Sequence, residues 1–432
     1  MEFKQGAFKF LKERGFIKQL THEKETKEML DARPVTFYFG IDPTADNLHI
    51  GHFFGLRVFK ILQDFGHKGI LLIGNATAAI GDPSFKNEMR KMMTAEELKE
   101  NSKGIEKVVK KFINMDTATI VYNADWTNNR TYLDFMREVG SHFNVNRMLS
   151  FENYKNRLTE GGLTFFEMGY MLMQAYDFIH LNNEFGCTLQ LCGSDQWANV
   201  VAGVELGRKM SLKNGKERPQ LVGLSTPLLT NKDGTKMGKT EKGTLWVHGE
   251  NAKPFDFYQY FINVDDAEVE QLLKFFGDMT VQEIAPLITK DIREAKKKLA
   301  YDVTKLVHGK EAADEVVETT RKMFYKKEVT DILNDPSVPM AAFLYTDLVI
   351  AFDLKTVKED KVLKAEMKVV DFLSVLHEIF FSKREIRDLI ENGGITIDAK
   401  KIESTDETID LIYRKDYLVK KGKKTFLKVI VK

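Results

Sequence analysis

The sequence predicts an α/β fold: a doubly wound parallel sheet, then a helical domain, then a small α+β domain. Three observations carry this. In the first half, short apolar runs rich in β-branched and aromatic residues alternate with helical stretches. From Gln282 to about Tyr325 the period is helical and the composition highly charged. From Ala365 onward two helical segments precede a lysine-rich pattern in which apolar residues alternate with cations. At 432 residues the chain exceeds one compact core. The expected bounds are 1–225 for the sheet with a connecting segment, 226–325 for a mobile loop and helices, 326–364 for a linker without clear period, and 365–432 for the last domain.

The elements follow in order. Val35 to Ile41 is a strand ending in Asp42-Pro43, and a helix runs from about Ile50 to Phe65. Gly69 to Gly74 is a second strand, and Ala118 to Tyr122 a third, closed by Asn123. In such sheets ligands bind beyond the carboxyl ends of the strands. Polar groups stand at each of these ends: Asp42, Thr44 and His49, then Asn75 and Asp82, then Asn123 and Asp125.

Composition narrows the classes of function. Lys plus Arg (64) and Asp plus Glu (63) nearly cancel, so attraction to a polyanion must come from a local patch. Met1 to Gly15 carries both charge signs and lacks a signal-peptide core, and no apolar run approaches membrane-spanning length. A cytoplasmic protein without a membrane partner is expected. Cys187 and Cys192 have no histidines at ligand spacing, so two buried thiols and no metal site are expected.

Two segments are suited to polyphosphate. Asp42-Pro43-Thr44-Ala45-Asp46-Asn47-Leu48-His49-Ile50-Gly51-His52 joins the first strand to a helix. The amide groups and dipole there favour an anion, the histidines add donors, and Gly51 admits a flat base. On these residues alone it is equally a helix cap with two histidines. The second segment, Thr230 to Thr240, is a Gly- and Lys-rich loop, with Lys236 and Lys239 three apart. A mobile cationic loop fits electrostatic catalysis, although a solvated basic turn has the same composition. No Walker-type phosphate loop occurs.

Thr164 to His180 reads as a buried helix with one polar stripe, Tyr170, Gln174 and Asp177 at i, i+4 and i+7. A buried carboxylate needs partners, either from a neighbouring strand or from a polar ligand.

His49-Ile50-Gly51-His52 matches the HIGH signature of class I aminoacyl-tRNA synthetases, and Lys236-Met237-Gly238-Lys239-Thr240 resembles their KMSKS loop, with Gly and Thr for its two serines. With the polar stripe, the chain resembles the bacterial tyrosyl-tRNA synthetases from about Val35 to its end. That resemblance implies a Rossmann-like catalytic domain, tyrosine and ATP as substrates, Mg²⁺ accompanying ATP, and no tightly bound cofactor. It further implies tRNA(Tyr) as partner and a homodimer, with the segment around Leu133 to Arg157 at the interface. By the same resemblance Tyr170, Gln174 and Asp82 hold the substrate's ammonium group. Asp177 and Tyr38 hold its phenol, and Asn123 lines the same pocket. Asp195 binds ribose, and Gln196 lies near the reacting carboxylate. Gly40, Asp42, His49, Gly51, His52, Gly193, Asp195, Lys236 and Lys239 contact ATP. Thr44, His49, His52, Lys86, Arg90, Lys236, Lys239 and Thr240 stabilise the departing pyrophosphate. Cys192 departs from the glycine often found before the Gly-Ser-Asp-Gln segment.

The C-terminal tail concentrates cations, with Lys383, Arg384 and Arg387 on an amphipathic helix and Lys420, Lys421, Lys423 and Lys424 near the end. A phosphate backbone fits such a surface. The residues after that helix read as a hairpin at Gly393 to Asp398, and the pattern resembles the ribosomal-protein-S-four-like RNA-binding domain that ends bacterial tyrosyl enzymes.

Overall fold

The structure is a computed structural model and describes residues 6–32, 34–84, 92–160, 162–214, 220–232, 234–240, 243–249, 252–325, 344–348, 364–376, 380, 382–412, 415–422 and 425–431. The chain divides into two compact units, 1–252 with 259–307 and 253–258 with 308–432.

In the first unit, α1 (Ala7–Glu13), β1 (Gln19–Leu20) and α2 (Glu23–Ala32) lead into β2 (Thr36–Ile41). Then come α3 (Ile50–Asp64), β3 (Lys68–Ile73), α4 (Asn75–Ile80), α5 (Ala95–Val109) and β4 (Ala118–Tyr122). Short helices α6 (Ala124–Thr127), α7 (Tyr132–Glu138), α8 (Val145–Ser150) and α9 (Glu152–Glu160) precede the long α10 (Phe165–Phe185). β5 (Cys187–Gly193), α11 (Trp197–Asn214) and β6 (Val222–Thr226) complete the sheet. A two-stranded ribbon of β7 (Lys239–Thr240) and β8 (Gly243–Thr244) follows. The helices α12 (Pro254–Ile262), α13 (Asp266–Phe276), α14 (Val281–Lys290) and α15 (Ile292–His308) come next.

The six strands lie in the order β1-β6-β5-β2-β3-β4, all parallel except β1. After β2 the chain builds outward through β3 and β4, then returns to place β5 on the other side of β2. The gap between the carboxyl ends of β2 and β5 is therefore the topological switch point, where such sheets hold ligands. Burial on both faces explains why β3 reads as an unbroken apolar run.

Helix ends obey local chemistry. A capping box of Thr164 and Glu167 starts α10, and Gly186, at φ 64°, ends it. Because α10 packs among β2, α9 and α11 residues in one apolar cluster, it is hydrophobic nearly all round. The stripe expected from sequence is the exception.

In the second unit, α16 (Lys310–Tyr325) precedes β9 (Leu344–Leu348), β10 (Lys364–Lys368), α17 (Val369–Ser374) and α18 (Lys383–Glu391). β11 (Ile395–Ile397), β12 (Lys400–Lys401), β13 (Thr408–Ile412), β14 (Asp416–Lys421) and β15 (Thr425–Val431) follow. One sheet has the order β12-β11-β14-β15-β9, and β10 pairs with β13. Phe372, Ile386, Ile395, Tyr417 and Val429 share its core. Two details differ from the sequence reading. Strand β9 falls inside the span read as a linker without clear period, paired in parallel with β15. The glycines at 393 and 394 end α18 rather than form the hairpin, with Gly393 at φ 63° and the Gly394 amide donating to Leu389 O at 2.7 Å. The reversal lies one step later, at Asp398 and Ala399, whose φ values are 47° and 70°.

Candidate active site

The polar stripe of α10 points at the switch point. Tyr170 donates from its hydroxyl to Asp42 Oδ2 at 2.8 Å, just past the end of β2. The other oxygen of Asp42 accepts from Thr77 Oγ1 at 2.8 Å. Gly74 makes this approach possible, since a Cβ there would lie 2.2 Å from Asp42 Oδ1. Asn123, fully buried at the end of β4, donates to Thr77 Oγ1 and to Asp177 Oδ2, both at 3.1 Å. Trp126 Nε1 donates to Asp177 Oδ1 at 2.8 Å. One hydrogen-bonded chain thus links Tyr170, Asp42, Thr77, Asn123, Asp177 and Trp126.

Asp177 is 1% exposed, and burial pushes its carboxyl up to about 7, against the pull of the Asn123 and Trp126 donors. Tyr38 is equally buried, and its phenol is raised by burial and by the nearby Asp177. The Tyr38 hydroxyl and Gln174 Oε1 have no hydrogen-bond partner among the described residues. Orphaned buried groups of this kind are costly unless a ligand completes them. An acceptor at Asp177 and an idle hydroxyl at Tyr38 suit the end of a molecule that both donates and accepts, such as a phenol.

At the other end, Asp82 accepts from the Ser84 amide at 3.0 Å and from Gln196 Nε2 at 2.5 Å. Gln196 and Asp195 follow β5 directly. Gly193 is half-buried, and a Cβ on it would lie 2.6 Å from Asp195 Oδ1. Gly40, exposed on β2, leaves open backbone at the switch point.

The phosphate segments meet. His49 caps α3, its Nδ1 accepting from the amides of Gly51 and His52 at 3.1 and 3.3 Å. A neutral His49 then carries its proton on Nε2, free to donate. His52 stacks on it with ring centroids 3.9 Å apart. Burial lowers both imidazoles, with Lys236 adding to the effect, and His52 falls to about 3. These are neutral donors at ordinary pH. The loop docks beside them: the Ile50 amide donates to Leu245 O at 3.1 Å, and the Leu245 amide to Gly238 O at 2.7 Å. Gly238 sits at φ 90° and a Cβ there would lie 2.5 Å from Ile50 Cγ2, which is why glycine stands here instead of serine. Its amide donates to the Tyr260 hydroxyl at 2.9 Å. Lys236 Nζ lies 3.9 Å from Asp195 Oδ2 and is largely exposed, a loose restraint on a movable charge. Thr44 is exposed after Asp42. Lys239 and Thr240 form β7 by their backbone, and Lys86 and Arg90 fall outside the described residues.

On the second unit, Arg384 and Arg387 are exposed one turn apart on α18. The remaining cations are more engaged than the tail composition suggests. Lys383 pairs with Asp371 at 2.6 Å, and Lys421 pairs with Glu385 at 2.5 Å while lying over the Phe380 ring. Lys420 is half-buried on β14, and Lys423 and Lys424 fall outside the described residues.

Residues 30–325 match the class I tRNA synthetases (W and Y), and residues 350–429 match the tyrosine–tRNA ligase SYY-like C-terminal domain. The chain belongs to the class I tRNA synthetase family, in its bacterial tyrosine–tRNA ligase branch. It is 43% identical to the tyrosine–tRNA ligase of Acetivibrio thermocellus, covering 98% of this chain and 99% of the relative. It is equally similar to that of Clostridium kluyveri, 43% identical over 99% of this chain and all of the other. Among solved structures, a C-terminally truncated mitochondrial tyrosyl-tRNA synthetase of Aspergillus nidulans superposes with a TM-score of 0.64 at 26% identity, covering 74% of this chain and 95% of that one. In this synthetase three polar residues of the site were not singled out by sequence reasoning: Thr77, Trp126 and Asn199. Nothing in composition marks them: Thr77 and Trp126 act through partners far away in the chain, and Asn199 acts through Gln196, whose own partner Asp82 is 114 residues away.

Proposed function

We infer that this synthetase activates L-tyrosine with ATP and transfers it to the 3′-terminal adenosine of tRNA(Tyr). The observation that carries the substrate is the buried pair of Asp177 and Tyr38, the latter with a hydroxyl that has no hydrogen-bond partner among the described residues. In the first step the tyrosine carboxylate attacks the α-phosphorus of ATP, the bond to the bridging β-phosphate oxygen breaks, and pyrophosphate leaves. Asp82, Tyr170 and Gln174 hold the ammonium, and Gln196 steadies the carboxylate end. His49, His52, Lys86, Arg90, Lys236, Lys239, Thr240 and Thr44 are assigned to the negative charge that grows on the leaving group. Neutral imidazole donors and lysines accomplish this by preorganised electrostatics, without a covalent enzyme intermediate. Mg²⁺ bound to ATP would come as part of that substrate and would screen its phosphates. In the second step a ribose hydroxyl of the terminal adenosine attacks the tyrosyl carbonyl, forming the ester and releasing AMP.

Three further assignments complete the reading. Arg384 and Arg387 on α18 supply phosphate contacts to tRNA. The exposed apolar side chains of Tyr132 (69%), Leu133 (56%) and Val145 (53%) support a homodimer through the segment around Leu133 to Arg157. No helix among the described residues is long and apolar enough to cross a membrane, which is compatible with a cytoplasmic site of action. Mixing the protein with tRNA(Tyr), ATP and labelled tyrosine tests the whole reaction. The expected product is acid-precipitable tyrosyl-tRNA; unlabelled tRNA with rapid adenylate formation would confine the function to the first step.

A further inference from the structure

Asn199 lies in the first turn of α11, 1% exposed, three residues after Gln196. Its Nδ2 donates to Gln196 Oε1 at 3.0 Å, and its Oδ1 has no partner among the described residues. Gln196 in turn gives its amide N–H to Asp82 Oδ2 at 2.5 Å, while Asp82 Oδ1 is held by the Ser84 amide. An ionised carboxylate accepts only, so Asp82 demands the nitrogen end of the Gln196 amide. That leaves the Gln196 oxygen pointing the other way, where only a donor satisfies it.

We propose that Asn199 is a positioning residue for the amino-acid end of the site: by donating to Gln196 Oε1 it sets which way the Gln196 amide faces, and so keeps an N–H on Asp82 and on the substrate's carboxylate end. This rests on the tyrosine reading above, since Asp82 and Gln196 are the residues assigned to that end. The orientation of an amide is degenerate in shape but opposite in charge, so Asp82 on the nitrogen and Asn199 on the oxygen fix it together, and without Asn199 the oxygen is left unsatisfied. Gln196 bridges from the carboxyl end of β5 to the loop after α4, and Asn199 is the anchor on its far side.

The test compares Asn199→Ala, Asn199→Asp and the unaltered protein in tyrosine-dependent ATP–pyrophosphate exchange. Asn199→Ala unmoors Gln196 and lowers kcat/KM for tyrosine about tenfold, with the KM for ATP unchanged. Asn199→Asp keeps the shape but removes the donor when ionised; its carboxylate draws the Gln196 nitrogen away from Asp82, and kcat/KM falls by about a hundredfold near pH 8. As pH falls the buried acid takes up a proton and regains a donor, so the ratio of variant to unaltered kcat/KM rises toward pH 6. A packing defect would leave that ratio flat, and a flat ratio overturns the proposal, as does an Asn199→Ala variant with unchanged tyrosine kinetics. If the unaltered protein fails to exchange with tyrosine, the substrate reading falls. The Asn199 claim is then read from a crystal structure of Asn199→Asp: Gln196 turned with its oxygen toward Asp82 supports it, and an unmoved amide overturns it.

Discussion

The indole of Trp126 donates to Asp177 Oδ1 at 2.8 Å, from a short helix 51 residues away in the chain, and so shares with Asn123 the task of holding a buried carboxylate in place. Both donors favour the ionised form, yet burial wins and the carboxyl stands near 7. Replacing Trp126 with Phe keeps the aromatic packing but removes the N–H. The expected result is a loss of Tyr-over-Phe discrimination of about tenfold, measured as the ratio of kcat/KM values in pyrophosphate exchange. Unchanged discrimination would remove Trp126 from the specificity apparatus.

The same shift predicts two pH dependences. Asp177 rises in the fold from 3.8 to about 7, so the native state keeps a proton that the unfolded chain has released between these values. The native state therefore binds more protons there, and this group's contribution to stability declines as pH rises from about 4 to 7. Tyrosine binding runs the other way. A carboxylate accepts from the phenol better than a carboxylic acid does, so the KM for tyrosine rises as pH falls below about 7. Titrating melting temperature and KM from pH 5 to 8 reads both: this group's part of the melting temperature and the KM should each fall as pH rises, and a KM that rises with pH would contradict the assignment.

Gly238 gives the loop its test. A side chain at φ 90° costs about 1–2 kcal/mol, and here it also meets Ile50. Gly238→Ser, which would write the serine of the KMSKS pattern into this loop, is expected to slow adenylate formation about tenfold while leaving the tyrosine KM near its original value. Stopped-flow measurement of the burst separates the two. Lys239→Ala should fall in the same class, slow in activation with tyrosine affinity little changed.

His49 and His52 are neutral donors, so neither should impose a pKa on the rate between pH 6 and 8. His49→Ala removes both the α3 cap and the Nε2 donor. It should cost about 1 kcal/mol of stability and a larger factor, about a hundredfold, in activation rate. A stability loss without a rate loss would reduce His49 to a cap.

Arg384 and Arg387 are predicted to contact phosphates. Replacing both with Ala should weaken tRNA binding and flatten its salt dependence by about one unit of log–log slope per arginine, with pyrophosphate exchange unaffected. Filter binding between 50 and 200 mM salt is the measurement. An unchanged slope would move the RNA surface elsewhere.

Strands β2, β3 and β4, the α10 stripe and the two phosphate segments were legible because each is written in contiguous residues: apolar runs, a helical period, a loop of glycine and lysine. What was not legible depends on distant pairs. Trp126 has no local reason to be polar-facing; it becomes a site residue only when β4 brings it against α10. Strand β5 was marked only by the Gly-Ser-Asp-Gln segment at its end, because CTLQLCG mixes polar with apolar residues. The buried polar residue Gln190 in that strand reflects the site it borders, since it pairs in register with Tyr38. The basic tail was visible as composition, but its ion pairs with Glu385 and Asp371 required the fold. The 393–394 glycines were read as a turn because a helix stop and a hairpin use the same residue for the same positive φ.

In the proposed function, recognition of a phenol at Asp177 and Tyr38 is joined to activation by ATP at the His49 and Lys236 segments. ATP–pyrophosphate exchange measured with each of the twenty amino acids tests it most directly. Tyrosine alone should drive exchange. Exchange driven by another amino acid, or by none, would contradict it.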